Sequence, residues 1–180
     1  MKKYALTDET MKIGVVTLHR IKALAAFANV DAGDLGGWIE KESNLDQDGN
    51  AWVYGNACVS GNARVYGDAR VYGDAWVYGN ACVSGDAWVS DNKHYMAIGP
   101  IGSRDDSITF TRDKKGGIFA TVGCFYGSLP EFREEVMKRH GNTVHAQAYL
   151  LAAQLAELRL DTTPIKTGTE NPTEVETDGD

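Results

Sequence analysis

The sequence predicts a mainly β protein: a short parallel β-helix with additional structure at both ends. Three observations predict it. Seven six-residue units follow one another from Ala51 to Asn92 without an insertion, beginning with AWVYGN and ending with AWVSDN. Every unit begins with alanine and carries valine at its third position, and all but the last place glycine before a final asparagine or aspartate. A six-residue period fits neither an amphipathic helix, with its period of about 3.6 residues, nor a run of hairpins.

Each unit of this repeat predicts one short strand and one corner of a coil. The valine points inward and the alanine packs as a small corner residue. The glycine and the asparagine or aspartate form the corner, because they tolerate the positive φ values of tight turns. Three units close a coil of about eighteen residues, and coils stack at a sheet spacing of about 4.8 Å. We therefore expect Val53, Val71 and Val89 to lie in one interior column.

An inward aliphatic residue followed four positions later by a small one recurs along the repeat, as in Val53 and Ala57. This pattern resembles the hexapeptide-repeat family of left-handed β-helices, and the resemblance implies a left-handed coil. Ile39 and Leu45 extend the pattern upstream with the same six-residue spacing. The predicted β-helix therefore spans residues 35–92 and has about three coils. A solenoid this short needs caps at its ends.

The residues on either side of each valine point outward, and many of them are aromatic. Stacking of successive coils places Trp52, Arg70 and Trp88 on one face and Trp76 beside Cys58 on the next. These side chains either pack against the flanking segments or form an oligomer or partner surface, which would consist of Trp52, Arg70, Trp76 and Trp88. Because members of the hexapeptide-repeat family are usually trimers, the resemblance implies a homo-oligomer, with a trimer expected first and a dimer second.

Residues 1–34 are expected to form an N-terminal β-hairpin cap. A short strand is predicted from Tyr4, a turn around Asp8–Lys12, and a longer strand over Val15–Leu24. The segment leads directly into the predicted β-helix, so we expect the hairpin to cover the first coil.

Residues 93–160 are expected to form a C-terminal α+β unit. Apolar runs predict strands at Tyr95–Ile98, Ser107–Thr111 and Ile118–Cys124. A turn at Asp113–Gly117 joins the last two strands into a hairpin.

Two helices complete the C-terminal unit. Ser128–Glu131 reads as a capping box, and the sequence KRHG is typical of a helix end. The second helix covers Thr143–Leu160. Its apolar stripe predicts a packed face and consists of Val144, Ala148, Leu151, Leu155 and Leu158. Residues 161–180 are acidic with almost no large apolar side chains, which predicts a disordered tail.

Composition excludes several classes of protein. The formal net charge is −7, which argues against general binding of nucleic acids or anionic membranes. No apolar run approaches the roughly 20 residues that span a bilayer, and the N-terminus lacks the apolar core of a signal peptide. Three cysteines do not make a disulfide framework, so we expect a reducing cytoplasm.

The sequence GPIGSRDD is the strongest candidate for a binding loop. Two glycines and a proline shape a tight turn, which is followed by Ser103, Arg104, Asp105 and Asp106. Backbone amides and the Arg104 guanidinium are suited to phosphate or carboxylate groups. Tyr126, in a second glycine-rich turn, is a candidate for stacking on the same ligand. The alternative is a structural turn in which Arg104 pairs with a neighbouring aspartate.

Enzymatic chemistry has weak support in the sequence. Acyltransferases of the hexapeptide-repeat family use a histidine base in or beside the coils, but residues 51–92 contain no histidine. His94, just past the last unit, is the one candidate base for such a reaction. No cluster of histidine and cysteine has metal-ligand spacing, so we expect no metal site, no catalytic residue and no cofactor.

The motifs DLGGWIEKESNL, GPIGSRDD and GCFYGSLPEF, together with the repeat, resemble a group of phage and prophage proteins. This resemblance implies a non-enzymatic accessory protein that acts by binding in the host cytoplasm. Counter-defence is one such role, by sequestering either a host protein or a small nucleotide-like signal. The alternative function is that of an acyltransferase-like enzyme depending on His94.

Overall fold

The computed structural model describes residues 2–165. Its strands are β1 (Tyr4–Ile13), β2 (Val16–Ala23), β3 (Leu35–Ile39), β4 (Trp52–Val53), β5 (Cys58–Val59), β6 (Arg64–Val65), β7 (Arg70–Val71), β8 (Trp76–Val77), β9 (Cys82–Val83), β10 (Trp88–Val89), β11 (Tyr95–Ile101), β12 (Asp106–Arg112), β13 (Ile118–Val122) and β14 (Phe125–Ser128). Two helices follow, α1 (Leu129–His140) and α2 (Val144–Arg159). The fold is mainly β, as the sequence predicts.

The repeat forms a parallel β-solenoid with three sets of stacked strands. One set orders β4, β7 and β10, the second orders β3, β5 and β8, and the third pairs β6 with β9. Val53 pairs in register with Val71, and Val71 with Val89, so these valines form the expected column. The valines and alanines of all seven units are buried. The interior is therefore made almost entirely of small and β-branched side chains.

Glycine forms the corners for a steric reason. Gly67 has a φ of 73°, and a Cβ there would lie 3.0 Å from the backbone nitrogen of Gly85 in the next coil. A side chain at Gly67 would therefore have to be accommodated both in a disfavoured backbone conformation and against the neighbouring corner. The predicted corner role of glycine is confirmed.

The N-terminal hairpin joins the solenoid through an antiparallel pairing of β2 with β3. The Tyr4 hydroxyl donates hydrogen bonds to the carbonyls of Glu42 and Leu45, at 2.8 and 2.7 Å. Lys3 Nζ donates to the carbonyl of Ala51 at 3.0 Å. The hairpin thus covers backbone groups at the start of the repeat.

The predicted turn at Asp8–Lys12 is wrong. The hairpin reverses at Gly14 and Val15, where Gly14 has a φ of 60°. Residues 8–12 lie inside β1, although the strand register shifts between Leu6 and Thr10. A polar strand with an irregular register looks like a turn in sequence, because both lack alternating apolar residues.

The C-terminal unit is an antiparallel sheet in the order β11–β12–β13–β14, with α1 and α2 packed on it. Phe110 and Ala120 of the sheet belong to one core with Phe132 of α1 and Ala153 of α2. Strand β14 occupies a segment that the sequence predicts as a glycine-rich turn. The two helices match the predicted bounds closely, because their capping signals are local.

This sheet also contacts the last coils of the solenoid. The Cys82 amide donates to Thr109 Oγ1 at 2.9 Å, and the Ser84 and Thr121 hydroxyls are hydrogen-bonded at 3.0 Å. Ala87 forms an antiparallel bridge with Asp113. The C-terminal unit therefore covers the end of the repeat through polar side chains.

The apolar stripe predicted as a packed face of α2 is not the face that packs on the sheet. The helix packs on the sheet through a different set of residues, Ala146, Tyr149, Ala152, Ala153 and Ala156. The larger apolar residues Val144, Leu151, Leu155 and Leu158 are exposed. Alanines allow a helix backbone to approach its neighbour closely, so the buried face is the one with the smaller side chains.

The first residues of the predicted tail have defined contacts. The Asp161 amide donates to the Lys93 carbonyl at 3.0 Å, and the Ile165 amide donates to the Lys114 carbonyl at 3.0 Å. Residues 166–180 lie outside the described residues, and with them most of the predicted disordered tail. Between residues 2 and 165, no helix combines the length and apolarity needed to cross a membrane.

Candidate ligand-binding site

The GPIGSRDD loop connects β11 to β12 and packs against α2. Gly102 has a φ of 76°, and a Cβ at this position would lie 2.0 Å from the Tyr149 hydroxyl oxygen. Asp105 also has a positive φ, of 50°. Close packing on Tyr149 therefore requires glycine at position 102 and fixes the start of the loop. Ser103 and Arg104 follow directly and are exposed.

Arg104 lines a pocket between the β13–β14 turn and the two helices. The pocket has a volume of about 60 Å³, which is below the range of about 300–1,000 Å³ that is typical of small-molecule sites. Its apolar lining consists of Val122, Phe125, Phe132 and Val136. Its polar lining consists of Arg104, Cys124, Glu135, Arg139, His140 and Tyr149. Six of the ten lining residues carry polar groups, so the pocket is more polar than a typical small-molecule site.

The charges at the pocket favour an anion. Arg139 Nε donates a hydrogen bond to the Glu135 carboxylate, and Lys138 lies 3.6 Å from the same carboxylate. The hydrogen bond from Arg139 lowers the pKa of Glu135, and Glu135 in turn raises the pKa of Arg139. Within residues 2–165, Arg104 forms neither a hydrogen bond nor an ion pair. The Glu135 charge is therefore paired with its own neighbours, whereas Arg104 has no direct partner in residues 2–165, although the Asp106 carboxylate also lies beside Gly123.

Aromatic rings line the side of the pocket formed by the helices. The His140 ring lies 5.6 Å from the Tyr149 ring at an angle of 37°. Tyr149 also packs edge-on against Phe132 at 5.8 Å. Burial raises the pKa of Tyr149, so its hydroxyl stays protonated at neutral pH. Phe132 and Tyr149 are 2% and 8% exposed, so these rings form the buried base of the pocket.

The other predicted site residues lie elsewhere. Asp105 and Asp106 line a second, open cavity of about 450 Å³, together with Arg64 and Tyr66 of the solenoid. Tyr126 packs on the solenoid instead: its ring stacks on Phe119 and its hydroxyl accepts a hydrogen bond from the Asp86 amide at 3.4 Å. Of the five predicted ligand-binding residues, Arg104 lines this pocket and the other four do not.

His94 performs a local structural task. It is buried, and its Nδ1 accepts hydrogen bonds from the backbone amides of Ser90 and Asp91, both at 3.1 Å. Burial, followed by the charge of Arg112, lowers the pKa of His94. Because Nδ1 is an acceptor in the neutral ring, the proton sits on Nε2, 4.0 Å from an Asp161 oxygen. Neither nitrogen is then available as a base.

The predicted partner surface is largely covered by the chain itself. Trp52 is 1% exposed and packs edge-on against Tyr4 and Phe27 of the N-terminal segment. The Arg70 guanidinium lies 4.8 Å from the centre of the Trp88 ring, which is also buried. Trp52 thus belongs to the core of the monomer.

Trp76 is half-buried and differs from the other two tryptophans of the repeat. Its indole nitrogen donates to Ser60 Oγ at 3.0 Å, and its ring packs at 5.6 Å from that of Tyr78. Tyr78 itself is exposed. Flanking segments therefore cover most, but not all, of the outward aromatic rows.

Sequence reasoning did not identify Arg139 and His140 as pocket residues. Both belong to the KRHG sequence, whose local signal is that of a helix end. Nothing in the local pattern indicates that α1 ends beside the GPIGSRDD loop, more than 30 residues earlier in the chain. In the described part of the chain, no three histidine, cysteine, aspartate or glutamate side chains are grouped so that they could hold a metal ion.

Comparison with known proteins finds similarity in the repeat. A family model described as the YdcK β-solenoid repeat matches residues 63–79 and 75–91. The uncharacterized acetyltransferase YdcK of Escherichia coli (strain K12) is 39% identical over 62 residues, which cover 30% of this chain and 19% of YdcK. The match thus spans about a fifth of that relative's length. The similarity supports a β-solenoid repeat and leaves the pocket residues outside the family model's range.

Proposed function

We propose that this protein is a non-enzymatic binding protein whose pocket holds an anionic ligand through Arg104. The observation that carries the proposal is an exposed guanidinium without a partner in residues 2–165, at the rim of an apolar and aromatic pocket. Arg139 lines the same pocket. Guanidinium groups bind phosphate and carboxylate through paired hydrogen bonds, which makes such anions the matching ligand chemistry.

A nucleotide-like ligand is the class that we propose, with its planar ring resting against the shallow pocket instead of being enclosed by it. Phe125 is partly exposed at the pocket and offers apolar area for a planar ring, whereas Phe132 and Tyr149 are buried. A phosphate on the same molecule pairs with Arg104 at the rim. The ring and the phosphate then both contribute to affinity, and the contribution of the phosphate weakens as salt concentration rises.

We also propose that the solenoid is a left-handed β-helix of about three coils. Its support is the register between strands, in which Trp52 pairs with Arg70 and Arg70 with Trp88, one coil of the predicted length apart. The resemblance to the hexapeptide-repeat family supports the left hand. The solenoid then acts as a scaffold on which the C-terminal unit carries the pocket.

The biological role we propose is that of a phage or prophage accessory protein in the host cytoplasm. The motif resemblance described above supports this role, and three free cysteines suit a reducing compartment. Counter-defence by sequestering a nucleotide-like signal follows if the ligand is such a molecule. The other form of counter-defence is to sequester a host protein, which would bind Arg104 through one of its own acidic side chains.

The second candidate function is acyl transfer, because the repeat is similar to part of an uncharacterized acetyltransferase. The hydrogen bonds of His94 weigh against this candidate, since they occupy the histidine that directly follows the repeat. Turnover of acetyl-CoA by the wild-type protein, lost in His94→Ala, would overturn the non-enzymatic proposal.

The test of the binding proposal compares two arginines. Isothermal titration with a panel of nucleoside mono- and diphosphates identifies a binding probe, and Arg104→Ala is then titrated with it. Arg64→Ala is the matched control, because Arg64 is also exposed but lines the second cavity. We expect at least about a tenfold loss of affinity for Arg104→Ala and no loss for Arg64→Ala.

Two results contradict the binding proposal. The first is that no member of the panel binds at millimolar concentration. The second is that Arg64→Ala loses as much affinity as Arg104→Ala, which would move the ligand to the cavity lined by Asp105 and Asp106.

A further inference from the structure

Helix α2 carries an exposed apolar stripe on the face opposite to its packed face. The exposed fractions are 71% for Val144, 64% for Leu151, 47% for Leu155 and 86% for Leu158. Ala148, on the same side of the helix, is partly buried against the C-terminal core. Single exposed apolar residues are common on protein surfaces, but four of them on one side of a helix are typical of an interaction site.

The spacing of the stripe identifies the kind of partner. Steps of four and three residues alternate along Val144, Ala148, Leu151, Leu155 and Leu158. This is the a and d pattern of a coiled-coil seam, in which each apolar side chain inserts between side chains of a facing helix. The seam therefore fits another helix better than it fits a sheet or a small molecule.

The charges along the seam favour a second copy of α2 as the partner helix. The flanking positions in the heptad are His145, Gln147, Ala152, Gln154 and Arg159. Two copies therefore meet along neutral glutamines without like-charge repulsion. Glu157 points away in the heptad and is held by two hydrogen bonds from Arg133, at 2.9 and 2.7 Å. In an antiparallel pair the two Arg159 side chains lie at opposite ends and the helix dipoles oppose each other.

Residues 166–180 have the wrong composition to cover the stripe. Residues 166–180 contain five acidic residues and a single large apolar residue, Val175. One valine does not match five seam positions. A second copy of α2 supplies all five.

We propose that a second copy of this chain covers the stripe, with the two α2 helices packed antiparallel in a homodimer. This surface differs from the aromatic rows through which the sequence predicts a trimer first, and of which Trp52 is buried within the monomer. The proposal is independent of the Arg104 ligand, because none of the seam residues lines that pocket.

Sedimentation velocity of the full chain across a micromolar concentration series tests the dimer. The Leu151→Glu/Leu155→Glu variant removes the centre of the seam at two exposed positions, so the fold is retained. Val15→Glu is the matched control, because Val15 is fully exposed at the hairpin turn. We expect a dimer for the wild type and Val15→Glu, and a dissociation constant at least about 100-fold higher for the double variant. Circular dichroism of all three checks the fold.

Cysteine cross-linking tests the orientation, in a Cys124→Ser background because Cys124 is exposed. A mixture of Val144→Cys and Leu158→Cys chains is expected to form a cross-linked dimer, whereas Leu158→Cys alone is not. Cross-linking of Leu158→Cys alone would overturn the antiparallel arrangement. A monomeric wild type, a trimer, or a dimer that persists in the double glutamate variant would overturn the proposed interface.

Discussion

Gly102→Ala provides a quantitative test of how the GPIGSRDD loop is held. Two costs are expected at this position. The φ of 76° places alanine in the left-handed region, which costs about 1 kcal/mol after the smaller entropy of the unfolded chain is included. The new Cβ also lies 2.0 Å from the Tyr149 hydroxyl oxygen, so the Tyr149 ring has to move. Overpacking of this kind adds about 1–3 kcal/mol.

Gly79→Ala is the matched control, because it separates these two costs. Gly79 has a φ of 69°, close to that of Gly102, and a Cβ there would meet nothing within 4 Å. We therefore expect Gly79→Ala to lower the free energy of unfolding by about 1 kcal/mol and Gly102→Ala by about 2–4 kcal/mol. Urea denaturation followed by circular dichroism measures both values.

Equal losses in the two variants would refute the reasoning, since they would mean that Tyr149 moves without cost. The ligand-binding assay adds a second readout. Because Arg104 lies two residues after Gly102, displacement of the loop in Gly102→Ala is expected to weaken binding of the nucleotide probe. Gly79→Ala is expected to leave that affinity unchanged.

Three further predictions concern the core and pH. Val71→Ala removes two methyl groups from the interior column and is expected to cost about 2–3 kcal/mol by urea denaturation, whereas Val15→Ala, at a fully exposed site, is expected to cost almost nothing. Trp52→Ala is expected to cost about 3–5 kcal/mol because the indole is buried in the monomer; an effect no larger than that of exposed Tyr78→Ala would return Trp52 to a partner surface. Burial lowers the pKa of His94 in the folded state, so the unfolded state takes up this proton first as pH falls. Stability is therefore expected to fall as pH drops below about 6.5, and melting curves of His94→Gln are expected to show a smaller fall; an identical pH dependence in both proteins would contradict this explanation.

The repeat shows how far local sequence determines this protein. Each six-residue unit carries its own strand, corner and interior residue, so the column of Val53, Val71 and Val89 follows from periodicity alone. The helix bounds were equally predictable, because capping boxes and helix ends are formed by residues a few positions apart. The turn of the N-terminal hairpin was not predictable, since an irregular polar strand and a turn share the same composition.

Burial and the membership of the pocket were decided by tertiary structure. The sequence of α2 contains both an alanine face and a leucine stripe, and only the shape of the sheet determines that the alanine face packs. The sequence likewise allowed Trp52 either to face a partner or to be buried by a flanking segment. Its burial depends on the N-terminal hairpin, which covers it.

Arg104 was predictable as a candidate, because a glycine-rich turn followed by arginine has a local signature. The pocket around it was not, because Arg139 and His140 reach it from the end of another element. Periodic and capping signals determine conformation within a few residues. The pairing of surfaces between elements depends on which faces fit together, and for this chain only the folded arrangement decided that.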